Sequence, residues 1–216
     1  MLVRPLLSLA MASTMLIGMI FPQQADKPAG APASAAHDAS DGPAFTADKQ
    51  LQFPYKYREW VYVGSGVDMS YNLKEPASDH SMFNTVFVNR SSYVEFAKTG
   101  TWPDGTALVL ENRGAVHGGE HQASINKHGL TQTDELMGLE VHVKDASLPG
   151  GWGFYSFDNE KSARIIPQTA LCYSCHQQHA AVDTTFVQFY PTLMTVAKAK
   201  GTLSKAYLSE MSEAAK

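Results

Sequence analysis

Between residues 83 and 157 the chain repeatedly alternates apolar with polar side chains, the period of a half-buried strand. Phe83 to Asn89 (FNTVFVN) is one such run, with Phe83 and Phe87 on the same face. Thr106 to Arg113 (TALVLENR) is a second, entered from a turn at Pro103-Asp104-Gly105. In a third, Leu139, Val141 and Val143 alternate with Glu140, His142 and Lys144. Trp152 to Phe157 is an aromatic fourth. Upstream, Tyr55 to Trp60 is expected to form one helical turn running into Val61-Tyr62-Val63. A helix is expected from about Ser91, with Ser92 and Glu95 spaced as a capping box and Gly100 as its stop. Gly114 to Thr133 is rich in Gly, His and polar residues and is expected to be a long loop. Beyond Pro167 the pattern turns helical, and Pro191 suits the first turn of a last helix ending at Gly201. Strands joined by hairpin-length loops, with helices at the ends, predict an α+β fold on an antiparallel sheet.

The ends of the chain read differently. Arg4 precedes an almost wholly apolar run from Leu6 to Phe21, so residues 1–22 are expected to be a secretory signal peptide or an N-terminal anchor. Residues 23–44, dominated by Ala, Pro, Gly, Ser and Asp, lack the apolar bulk to offset the entropy of ordering and are expected to be a disordered linker. Residues 45–216 are left for the folded domain. A net charge of -4 gives no basic face for phosphate, so nucleic acid is not an expected partner. Of 216 residues only two are cysteines, Cys172 and Cys175, too few for a disulfide scaffold.

Those two cysteines open Cys172-Tyr173-Ser174-Cys175-His176, a C-x-x-C-H sequence. This is the attachment motif for haem c. Thiols one helical turn apart can reach two vinyl groups on one edge of a porphyrin as thioethers. The histidine after the second thiol then offers its imidazole to the iron. Covalent attachment of this kind occurs outside the cytoplasm, which agrees with export to the periplasm. A thioredoxin-like pair would lie early in the fold, at a helix N-terminus after a first strand. A zinc site would need a fourth ligand, for which His179 is the nearby choice. Neither has a second element in its support. On the far side of the iron a Met or His ligand would make an electron carrier, and an open position a gas-binding or catalytic site. His179 is too close to His176 to reach that side, His117, His121 and His128 fall in the expected loop, and Met194 falls in a helix where Met commonly fills core.

The order of segments resembles the cytochrome P-460 family, which includes the cytochromes c′-β. The stretches that carry the resemblance are YREWVYVG (57–64), FNTVFVNRSSYVEFAKTG (83–100), WPDGTALVLE (102–111), GLEVHVKD (138–145), GGWGFYSF (150–157), CYSCHQQHA (172–180) and FVQFYPTL (186–193). The resemblance implies a mainly antiparallel five-stranded sheet with flanking helices and a C-terminal helical haem-attachment segment. It also implies one haem c per chain and a homodimer. Members of one branch oxidise hydroxylamine and carry a lysine-to-porphyrin bond. The c′-β branch lacks that bond, keeps five-coordinate iron under an apolar cap, and binds nitric oxide and carbon monoxide.

The family's lysine lies in a D-G-T-x-x-x-K-E stretch, which here runs from Asp104 to Glu111 with Leu110 at the lysine position. Leucine has no amine, so the resemblance points to the c′-β branch. If Leu110 faces the haem, Leu108 and Asn112 share its face while Val109 and Glu111 turn away. Phe83 and Phe87 are expected to complete an apolar lid. Glu140 matches a position where hydroxylamine-oxidising members hold a carboxylate for proton transfer, and it keeps an enzyme reading open. The expected site is therefore Cys172, Cys175, Leu110, Phe83 and Phe87 around the haem, His176 on the iron, and Glu140 as the catalytic candidate. A gas-binding cytochrome is expected first, a hydroxylamine oxidoreductase second and a plain electron carrier third, with a periplasmic redox partner unidentified.

Overall fold

The computed structural model describes residues 41–69, 81–117, 129–158 and 161–214. The expected signal segment lies outside these residues, as do His121 and His128. Five strands form one antiparallel sheet in sequence order: β2 (Val61–Val67), β3 (Met82–Val88), β4 (Ala107–His117), β5 (Leu130–Lys144) and β6 (Trp152–Phe157). Each strand pairs with the next, so every connection within the sheet is local. A short β1 (Leu51–Gln52) pairs antiparallel with β7 (Ser162–Ala163). Four helices complete the α+β fold: α1 (Arg90–Thr99), α2 (Leu171–His179), α3 (Pro191–Lys200) and α4 (Lys205–Ala214).

Alternation gives the sheet two different faces. Val109, Leu139, Val141, Val143, Tyr155 and Phe157 point to one side, where Leu51, Phe53, Tyr57 and Ala163 cover them. Val88, Leu108, Trp152 and Phe154 point to the other, against Phe96 of α1 and Leu193, Met194 and Ala197 of α3. Full burial of each such aliphatic or aromatic side chain contributes about 1.5–3 kcal/mol. Apolar area alone is thus enough to hold helices to one side and the N-terminal segment to the other. Met194 belongs to this core.

Three local expectations need correction. The strands extend further than alternation indicated, to His117 in β4 and back to Leu130 in β5, so both ends of the expected 114–133 loop are a paired two-stranded arm. None of the residues of this arm is fully buried, so they carry no apolar period. Ser92 and Glu95 do not form a capping box, because α1 begins at Arg90 and Asn89 is its N-cap. Asn89 turns its carbonyl oxygen to the Ala107 N–H at 2.8 Å. The Ser91 N–H is instead taken by the Asp41 carboxylate at 2.8 Å. Asp41 belongs to the stretch expected to be linker. Finally, α3 is not the last helix: it ends at Gly201 (φ 68), and α4 follows and packs on α2. Gly100 does stop α1, in the left-handed conformation with φ 76.

One buried charge sits in the face away from the helices. Glu111 is almost fully buried. It accepts hydrogen bonds from Tyr57 Oη and Arg58 Nη2, and from Arg113 Nε at 2.9 Å. Burial, with Glu111 beside it, pushes the Tyr57 phenol up to about 12. Arg58 is half exposed and adds little, whereas the Tyr57 hydroxyl and Arg113 Nε would lose their acceptor without the carboxylate, Arg113 keeping only its bonds to the Thr133 and Asp134 carbonyls. Glu111→Ala is therefore expected to cost about 3 kcal/mol. The check is a urea titration, in which the midpoint should fall at unchanged slope. A midpoint within error of the parent would show that the network contributes nothing net.

Candidate cofactor site

Helix α2 presents Cys172 and Cys175 one turn apart, both as free, half-buried thiols, followed directly by His176. The helix is tied to β6 through Tyr173. That hydroxyl donates to the Ile166 carbonyl at 3.1 Å and accepts from the Phe154 N–H at 2.9 Å. The Tyr173 ring lies parallel on Phe154, 4.2 Å between centroids. Burial pushes the Cys175 thiol up, with Cys172 and Glu210 adding to the shift. A redox-active C-x-x-C pair needs the opposite shift, toward thiolate. His179, the fourth ligand a zinc site would need, turns to Glu210 at 3.1 Å.

The His176 ring is enclosed by Phe186 (4.2 Å between centroids), His142 (4.6 Å) and Phe154 (4.8 Å). Its Nδ1 lies 2.8 Å from the Thr184 carbonyl oxygen. A carbonyl only accepts, so Nδ1 carries the proton and donates, and Nε2 keeps its lone pair. Burial holds the imidazole below its ordinary pKa, in the neutral form. A neutral ring with one nitrogen engaged and the other bare is the arrangement of an axial metal ligand.

His176 opens onto a cavity of about 880 Å³, counted to its open mouth. Its floor is the helix-side face of the sheet. Val86, Leu110 and Glu140 lie side by side across β3, β4 and β5, and Leu108 and His142 form the next rank. Phe186, Phe189 and Tyr190 close it from the segment leading into α3. Gly64 allows that closure, because a Cβ there would stand 2.6 Å from the Phe189 carbonyl oxygen. Two thiols on the same helix, a neutral imidazole with a bare nitrogen and a mostly apolar cavity beside that imidazole fit a haem.

The sequence model of the family described as Cytochrome P460 matches residues 54–187, from just before β2 to just past α2. The chain belongs to the cytochrome P460 family. It is accordingly a haem-binding cytochrome. No curated protein matches the chain. In this P-460 family member, Cys172, Cys175 and His176 lie together on α2, and Leu110 and Glu140 both line the cavity beside His176. Glu140 does not pair with Arg113, which is held by Glu111. Its carboxyl is pushed above the ordinary 4.5 by the protein mass around it, although solvent still reaches it through the cavity mouth.

Phe83 and Phe87 are not part of the lid. They share a face of β3 with Thr85, opposite Asn84 and Val86, and Phe87 packs against Tyr57 and Tyr62 on the far side of the sheet. Period two groups residues by face but does not say which face meets the cavity. Phe186 and Phe189, which sequence reasoning did not single out, line the cavity instead.

Sequence reasoning passed over His142. It stacks on Phe154 at 3.8 Å, and burial with His176 beside it holds its pKa well below 6.5. The signal was available, since His142 is two residues from Glu140 and must share its face. Met69 also lines the cavity, lying against Gly66. Lys98 pairs with Glu95 at 3.6 Å near the end of α1. Lys144 pairs with Asp183.

Proposed function

We propose that this P-460 family member carries one haem c, attached through Cys172 and Cys175 with His176 as the axial ligand. We further propose that it binds nitric oxide and carbon monoxide in the cavity rather than turning over hydroxylamine. The observation that carries this reading is Leu110. It lies in the cavity floor between Val86 and Glu140, at the position of the family's cross-linking lysine, and no lysine is among the described cavity-lining residues. The bound haem supplies an iron that takes small diatomic ligands.

The chain's own residues decide which ligands are favoured. Val86, Leu108 and Leu110 offer no hydrogen-bond donor, so against this part of the floor water and anions gain nothing in exchange for leaving solvent. Nitric oxide and carbon monoxide need no such donor. The apolar N-terminal run supports export to the periplasm, and the family resemblance supports a homodimer.

Glu140 favours a second reading. A carboxyl held above its ordinary pKa in the same cavity is placed to accept protons from an N–O substrate, as a hydroxylamine oxidoreductase would require.

Absorption spectra of the purified ferric and ferrous protein, with and without nitric oxide, separate the readings. A high-spin spectrum, no red-shifted band and a new band on adding nitric oxide are expected. Hydroxylamine-dependent reduction of an added electron acceptor would overturn the proposal in favour of the second reading. A low-spin spectrum before any ligand is added would make the protein an electron carrier, with Met69 the first sulfur to replace.

A further inference from the structure

The carbonyl that engages His176 comes from an unusual turn. Val182 and Thr185 exchange two backbone hydrogen bonds, at 3.3 and 2.8 Å, around Asp183 and Thr184. Both central residues are left-handed, with φ 47 at Asp183 and φ 60 at Thr184. A tight turn of this shape favours Asn-Gly or Asp-Gly. Asp tolerates the conformation, but a β-branched threonine does so at a steric cost. The Thr184 side chain recovers none of it, because its buried hydroxyl has no hydrogen-bond partner. What this residue contributes is its carbonyl oxygen, 2.8 Å from His176 Nδ1.

Something must hold the turn in that shape. Inside it, the Thr185 hydroxyl donates to the Val182 carbonyl at 2.6 Å and accepts from Trp102 Nε1 at 2.8 Å. At its tip, the Asp183 carboxylate is paired with the ammonium of Lys144. Lys144 ends β5, directly opposite Trp152 of β6, and its Nζ lies 5.3 Å from the Trp152 ring centroid. Its side chain is largely shielded, with 19% exposed. A cation fixed by both an indole face and a carboxylate is a better anchor than a surface pair.

We propose that Lys144 and Asp183 are positioning residues for His176. They clamp the strained 182–185 turn to the sheet so that the Thr184 carbonyl stays aimed at Nδ1. A firm acceptor on Nδ1 makes Nε2 more electron-rich and fixes the plane of the ring, so it strengthens the bond from His176 to a metal. With the clamp removed, the turn relaxes, the acceptor retreats and that bond weakens. The inference rests on His176 being the axial ligand.

The iron–histidine stretching frequency of the ferrous protein, read by resonance Raman, tests it. Lys144→Met is expected to lower that frequency and to raise the share of protein that loses its histidine ligand when saturated with nitric oxide. A glycine at 184 accepts the left-handed backbone without cost. Lys144→Met/Thr184→Gly is therefore expected to regain part of the lost frequency. Asp183→Asn keeps a residue suited to the turn while removing the charge, and gives the same readout should Lys144→Met not take up haem. A purely structural role would move the urea midpoint and leave the frequency alone. An unchanged frequency in whichever clamp variant takes up haem overturns the inference, as does a lowered one that the added glycine leaves untouched. Failure of the underlying ligand assignment looks different: the parent protein itself would show no iron–histidine band.

Discussion

Replacing Cys172 and Cys175 together by alanine is expected to turn a pigment that stays on the denatured chain into one that washes off it. Both thiols stand on one side of α2, half-buried and free. Their loss removes little apolar area, so the fold should survive. The cavity and His176 remain, so non-covalent haem can still enter. What disappears is the pair of thioether bonds. In-gel haem staining after denaturation should fall to background in the double variant, while either single variant keeps one bond and some stain. Stain retained in full by the double variant would mean that the haem is held covalently elsewhere, and the attachment proposed here would be wrong.

The second large effect is expected from Leu110→Lys. Position 110 lies between Val86 and Glu140 in the cavity floor. An ammonium placed there loses its water, which disfavours the charged form. Glu140 is its cross-strand neighbour and can offset part of that cost. Its carboxyl, now held up by burial, should drop once a cation stands opposite. The haem-free variant is expected to be less stable by about 1–3 kcal/mol, the range of a moderately disruptive core change. In the haem-loaded protein the introduced amine is expected to approach the porphyrin, and the absorption spectrum should shift to the red. A spectrum and a nitric oxide response identical to the parent's would show that position 110 does not meet the cofactor. The distinction drawn from Leu110 would then fall.

Much of this architecture could be read from the residues. Strands β3, β4, β5 and β6 follow from alternation, and β6 has the bounds that its aromatic run implied. Gly100 and Gly201 end their helices where a left-handed residue is needed. The paired arm of residues 114–117 and 130–133 escaped, because its polar and half-exposed residues carry no apolar period. The cap of α1 escaped because the acceptor for its Ser91 N–H comes from Asp41, fifty residues earlier in the chain. No local pattern encodes such a partner.

The C-x-x-C-H motif was legible because it is a local object: two thiols and an imidazole within five residues, on one stretch of helix. Leu110 and Glu140 could be grouped by parity, since every second residue of a strand shares a face. Parity alone left Phe83 and Phe87 on the wrong side. Both faces of this sheet are buried, so hydrophobicity cannot tell the cofactor side from the other. Only the docking of α2, α3 and the 182–189 segment onto one face decides it. That docking brings His142 and Phe186 around His176 and sets the Thr184 carbonyl on its ring. The attachment proposed for the haem is therefore written in adjacent residues. The environment that tunes it is assembled from segments dozens of residues apart, held by packing that no short pattern specifies.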